Sequence, residues 1–148
     1  RIPGAQDDGT IDGAVLESWI KEARLLAKAA GREGFADRRI GHMLSASPMG
    51  TDGTWPAEPV RVVLDLYRSK RMIEGFEVGK ANRRGVTTRA PRDGGALERD
   101  EASKYRAWAK AVMCEHPHTA KALDHLAERY EWEARRHDED AERLDWEA

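Results

Sequence analysis

At 148 residues the chain is long enough to bury a full core as one domain, so it requires neither disulfides nor a structural metal to hold together. Hydrophobic residues make up 40% and charged residues 35%, which excludes a chain disordered by composition, and the single cysteine, Cys114, excludes an internal disulfide framework. The formal net charge is only −2, which excludes a uniformly basic or acidic binding domain.

Residues 1–11 are rich in Gly and Asp and predict a flexible lead-in. From residue 12 to 148 the pattern is that of a single helical domain. Asp12 is a good N-cap for a first helix running to Ala30, with Leu16, Trp19, Ile20, Ala23 and Ala27 on its buried stripe. Gly31 supplies a left-handed stop. A shorter helix is expected over 35–46, with Ala36, Ile40, Met43 and Leu44 on one face.

Residues 45–55 read as an irregular loop containing Pro48, Gly50 and an Asp52-Gly53 turn signal. Trp55-Pro56 is expected to open a third helix, with Pro56 in its first turn and Val60, Val63, Leu64 and Tyr67 as its apolar face. A fourth helix over 70–84 packs Ile73 and Phe76. Its interior glycines, Gly75 and Gly79, each cost about 1 kcal/mol of propensity against alanine. Their spacing leaves a smooth strip for close packing of another backbone, or alternatively a hinge or a partner groove.

Residues 86–91 look extended because β-branched residues precede Pro91. A fifth helix over 96–115 buries Leu97, Tyr105, Trp108, Ala109 and Val112, then stops at His116-Pro117. A sixth begins near Thr119 and reaches toward Trp146, with Leu123, Leu126, Ala127, Tyr130 and Ala134 inward. At about 1.5 Å per residue it spans about 42 Å, so its far end projects or packs on a missing part of a parent protein. The expected architecture is therefore all-α, an irregular bundle of five to six helices with a long C-terminal helix.

Chemistry is sparse. Cys114, His116 and His118 lie close together but lack the paired spacing of a zinc motif, so no metal is expected. His137, Asp138, Glu139 and Asp140 point in different directions on a helix and do not converge. His42 and His125 stand alone, Ser45 and Ser47 lack a nucleophile-elbow context, and no phosphate-binding glycine loop with its lysine is present. The expectation is no catalytic residue, no cofactor and no enzymatic activity.

Charge is distributed unevenly. Residues 68–92 carry eight Lys/Arg against Glu74 and Glu77, whereas 93–148 carry nine basic residues against fifteen acidic ones. Arg83 and Arg84 before Gly85 suit a helix C-terminus, where cations complement the dipole. Together with Arg89 and Arg92 they also form a candidate edge for an anion or an acidic partner.

The segment from Ile40 to Trp108 contains Gly41, Leu44 and Pro48, the run 52–58, Val60-Arg61, Glu74-Gly75-Phe76, Gly79, the run 82–86 and the run 105–109. In these residues it resembles the C-terminal helical regions of large, uncharacterised multidomain bacterial proteins. The resemblance covers roughly half the chain and implies a C-terminal accessory module of a cytoplasmic protein; it transfers no site residues. A chain beginning at Arg1 rather than Met fits an excised piece of something longer. Two functions are expected to compete. The first is a non-catalytic protein-interaction or scaffold module that docks on the rest of its parent chain or on another protein subunit, with no membrane role. The alternative is a nucleic-acid-binding accessory domain using 68–92. Basic residues paired with the acidic C-terminal helix would favour docking, and a contiguous basic face would favour nucleic acid.

Overall fold

The computed structural model describes residues 1–84 and 94–147. Six helices are formed there: α1 (Gly13–Ala29), α2 (Glu33–Leu44), α3 (Glu58–Tyr67), α4 (Lys70–Asn82), α5 (Ala96–Val112) and α6 (Pro117–Glu147). Among the described residues there is no sheet, only an isolated antiparallel bridge between Ala5 and Ile11. The fold is an all-α bundle.

Local chemistry sets the helix ends. Asp12 accepts a hydrogen bond from the Val15 amide to start α1, and Ser69 accepts one from Met72 to start α4. Pro59, not Pro56, occupies the first turn of α3. Pro56 follows a cis peptide bond from Trp55 and lies outside the helix. α3 ends on Arg68, a non-glycine residue at φ 51°, and its Asp65 reaches across to cap α6. The Asp65 carboxylate accepts from the backbone amides of His118 (2.8 Å) and Thr119 (3.1 Å) and from the Thr119 hydroxyl (2.7 Å). The positive end of α6 is thus fixed to a carboxylate on a different helix.

Two helix pairs dominate the packing, α2 with α4 and α5 with α6. The first is a glycine crossing. A Cβ on Gly41 would lie 1.8 Å from the Met72 carbonyl oxygen, one on Gly75 2.0 Å from that of Arg38, and one on Gly79 2.3 Å from the Ser45 hydroxyl. Gly41 and Gly75 therefore meet the backbone of the opposite helix directly, and Gly79 seats the Ser45 side chain. The second pair is closed by Gly95, whose amide donates to Asp138 at 2.9 Å.

The core takes Val63, Leu64, Phe76, Leu126 and Tyr130, with Trp108 partly buried against it. Trp19 departs from the expected core and is 44% exposed, because it sits on the flank of α1 while Leu16 and Ile20 occupy the centre of the stripe. Leu97 is also exposed, at the edge of a cleft rather than beneath it. The glycine-rich opening is not wholly loose: Ile2 and Ile11 are buried and join the core cluster.

Buried charge holds the joints. Asp37 accepts two hydrogen bonds from Arg24 (2.8 and 3.0 Å) and one from Ser69 (2.6 Å), tying α1, α2 and the start of α4 together. Arg61, nearly enclosed, forks onto Asp52 and donates to the carbonyls of Thr54 and Pro56. The loop before α3 is thereby wrapped around one guanidinium.

Candidate functional site

The last turn of α4 brings Lys80, Arg83 and Arg84 to the edge of the α5–α6 pair. Helical spacing puts Lys80 and Arg83, three residues apart, on one side. The glycine crossing with α2 fixes the position of that side, because Gly79 leaves room only for Ser45 and the His42 carbonyl. Arg83 donates from Nε to the Ser45 hydroxyl at 3.0 Å.

Arg84 turns inward. It is ion-paired to Glu98 of α5 and Glu133 of α6, and its guanidinium lies 4.9 Å from the centroid of the Tyr130 ring. Glu98 is fully buried, with His137 at 3.8 Å. Burial pulls the Arg84 pKa down, but the hydrogen bonds to Glu98 and Glu133 outweigh it and leave it raised. The side chain therefore acts as a permanent cation joining three helices.

Beneath this lies an aromatic cluster. Trp55 stacks on Phe76 (5.2 Å between centroids) and meets Tyr105 edge-on (6.2 Å), while Tyr105 stacks on Tyr130 (5.5 Å). The Lys80 ammonium sits 4.4 Å from the centroid of the Trp55 ring. Burial lowers the Lys80 pKa and raises those of the Tyr105 and Tyr130 phenols, so neither tyrosine ionises near neutral pH.

Above the rings a cleft of about 530 Å³ opens between α4, α5 and α6. α4 contributes Lys80 and Arg83, followed by Arg84; α5 contributes Leu97, Asp100, Glu101, Lys104 and Tyr105; α6 contributes Tyr130. Lys104 closes on Glu101 at 2.9 Å. Of the sequence-derived candidates, Arg83 and Arg84 belong to this cleft, and Gly75 and Gly79 lie on the α2 side of the same helix. Arg89 and Arg92 lie outside the described residues. Helical periodicity places Tyr105 and Tyr130 in the core and singles out neither Lys80 nor Lys104. Their common signal is helical spacing on three separate elements, which converges only once those elements are packed.

Among the described residues no group of three or more His, Cys, Asp or Glu side chains converges as a metal site. Cys114 is exposed, and the His118 backbone is used in capping α6. No described helix is long and apolar enough to cross a membrane. Compared with protein-family models, curated proteins and solved structures, the chain finds no match.

Proposed function

We propose that the chain is a non-catalytic helical interaction module, the C-terminal part of a larger cytoplasmic bacterial protein, which docks on the rest of its parent chain or on another protein subunit. The observation that carries this reading is the fate of Arg84. That cation of the 68–92 stretch is spent on Glu98 and Glu133, inside the bundle. Lys80 lies against an indole and Arg71 pairs with Glu74, so the cations of residues 68–84 are not all presented on one outward basic face. Val15, Trp19 and Leu26 remain exposed along one flank of α1, an apolar surface of the kind that docking covers.

Co-purification of the parent protein with and without this domain tests the reading. Deleting the domain, or changing Trp19 and Leu26 together to serine, is expected to release the docked domain or subunit. Retention unaltered by both changes would sink it. The competing nucleic-acid reading is tested with a labelled duplex at low salt, where no binding is expected. Saturable binding whose salt slope falls by roughly 2 on changing Arg83 and Arg84 to alanine would replace docking with nucleic-acid recognition.

A further inference from the structure

The α4–α5–α6 cleft holds charges of both signs that have no partner within hydrogen-bond or ion-pair distance among the described residues. Lys80 makes no hydrogen bond or ion pair there, although it is half-buried over Trp55. Since no buried side-chain nitrogen or oxygen lacks a partner among the described residues, its ammonium is in reach of solvent, with three donors to offer. Arg83 uses Nε on Ser45 and keeps both terminal amino nitrogens. On α5, Asp100 lines the same cleft and is likewise without a hydrogen bond or ion pair among the described residues. The other charged groups are engaged with one another, Lys104 with Glu101 and Arg84 with both Glu98 and Glu133. Two cations on the α4 wall and one carboxylate on the α5 wall are therefore left to select a ligand.

We infer that this cleft binds a small zwitterion, an α-amino acid with an apolar or aromatic side chain, its carboxylate on Lys80 and Arg83 and its ammonium on Asp100. The volume of about 530 Å³ is that of a small-molecule site, for which a range of roughly 300–1,000 Å³ is usual. Leu97, about half exposed on the α5 rim, supplies apolar surface for the side chain, and the buried Tyr105 and Tyr130 form the floor beneath it. A polyanion is disfavoured, because Asp100 and Glu101 line the same cleft as the two cations. A simple cation is disfavoured by Lys80 and Arg83 themselves. This inference stands apart from the docking role, and neither depends on the other.

The test is a titration of the whole chain, followed by backbone amide chemical shifts in low-salt buffer. Three probes share one hydrocarbon body: phenylalanine, hydrocinnamate (which lacks the ammonium) and phenethylamine (which lacks the carboxylate). Phenylalanine is expected to give saturable shifts centred on residues 80–84 and 97–105, and each truncated probe to bind about tenfold more weakly. Lys80→Gln and Arg83→Gln are each expected to weaken phenylalanine by about tenfold. Asp100→Asn is expected to weaken phenylalanine and phenethylamine while leaving hydrocinnamate unchanged. Should Lys80→Gln disturb the Trp55 packing, as a thermal melt would reveal, Arg83 and Asp100 are exposed and their variants carry the test. Absence of saturation at about 10 mM phenylalanine overturns the inference, as does equal binding of phenylalanine and hydrocinnamate, or affinity indifferent to Arg83→Gln and Asp100→Asn.

Discussion

A single methyl group decides whether α2 and α4 can meet. The Cβ of Gly41→Ala would stand 1.8 Å from the Met72 carbonyl oxygen, and that of Gly75→Ala 2.0 Å from the Arg38 carbonyl oxygen. Both obstacles are backbone, so neither can swing aside and the helices must separate. The gain in helix propensity, about 1 kcal/mol, is smaller than this overpacking cost, which is about 3 kcal/mol or more. Each variant is expected to lose at least about 2 kcal/mol in urea unfolding. Gly34→Ala in α2 is the control: its Cβ meets only the Arg71 Cγ, at 3.9 Å, and the change is expected to be neutral or stabilising by up to about 1 kcal/mol. Equal effects at the three positions would contradict the glycine crossing. Sequence reasoning could mark Gly75 and Gly79 as a strip because a helix rarely tolerates two glycines without a reason. It could not identify Gly41 as the opposing surface, since that pairing exists only across the fold. Nor could it foresee Asp37, Arg61 or Glu98 as buried charges, because hydrophobic periodicity says nothing about a polar residue whose partners lie on other elements.

At the scale of elements, the helices are held by carboxylates that work across segments. Asp65 on α3 satisfies two amides at the start of α6 as well as the Thr119 hydroxyl. Asp65→Ala is expected to cost about 1–2 kcal/mol, as an N-cap loss does, and to raise amide exchange in the first turn of α6 before the rest of that helix. Uniform exchange along α6 would show that its start is held by something else. The loop over 45–57 gives a pH-dependent case. Hydrogen bonds from Arg61 and the Thr54 amide hold the Asp52 carboxyl at about 2, below its unfolded value of about 3.9. A depressed carboxyl contributes stability that is present above the unfolded value and is lost as pH falls through the folded one. The Asp52 side chain is over half exposed, so solvent screening reduces the effect well below its nominal size. The stability advantage of the native protein over Asp52→Asn is therefore expected to shrink between pH 4 and pH 2 and to be flat above pH 5. A constant difference across that window would contradict the pairing. Most helices were legible at this scale because stripes such as Leu123, Leu126 and Tyr130 are unambiguous. The start of α3 differs from the expected Pro56: proline suits both a helix start and a turn, and here Pro56 precedes the helix with its carbonyl accepting from Arg61 Nε.

Across the whole molecule, the α2–α4 pair and the α5–α6 pair are two units joined by the Arg84 ion pairs and, in the core, by Trp55. Trp55, from the loop before α3, stacks on Phe76 of α4 and meets Tyr105 and Trp108 of α5, while its indole N–H donates to the Ser47 carbonyl at 2.8 Å. The Lys80 ammonium lies over its ring from the edge of the candidate cleft. Trp55→Ala removes the shared wall of both pairs at once and is expected to cost about 3–5 kcal/mol, the range for truncating a buried large aromatic. Because each pair keeps its own internal packing, including the glycine crossing on one side and the Tyr105–Tyr130 stack on the other, the loss should fall on their cooperation. Unfolding followed at once by far-ultraviolet circular dichroism and by amide probes placed in α2 and in α6 is expected to be coincident for the native chain and split for Trp55→Ala. Trp55→Phe keeps ring contacts while leaving the Ser47 carbonyl without its indole donor, so it should destabilise by less and remain coincident. A Trp55→Ala variant that loses less than about 1 kcal/mol, or that unfolds in one coincident step, would mean that contacts such as the Arg84 ion pairs couple the two helix pairs and that the aromatic cluster only fills space.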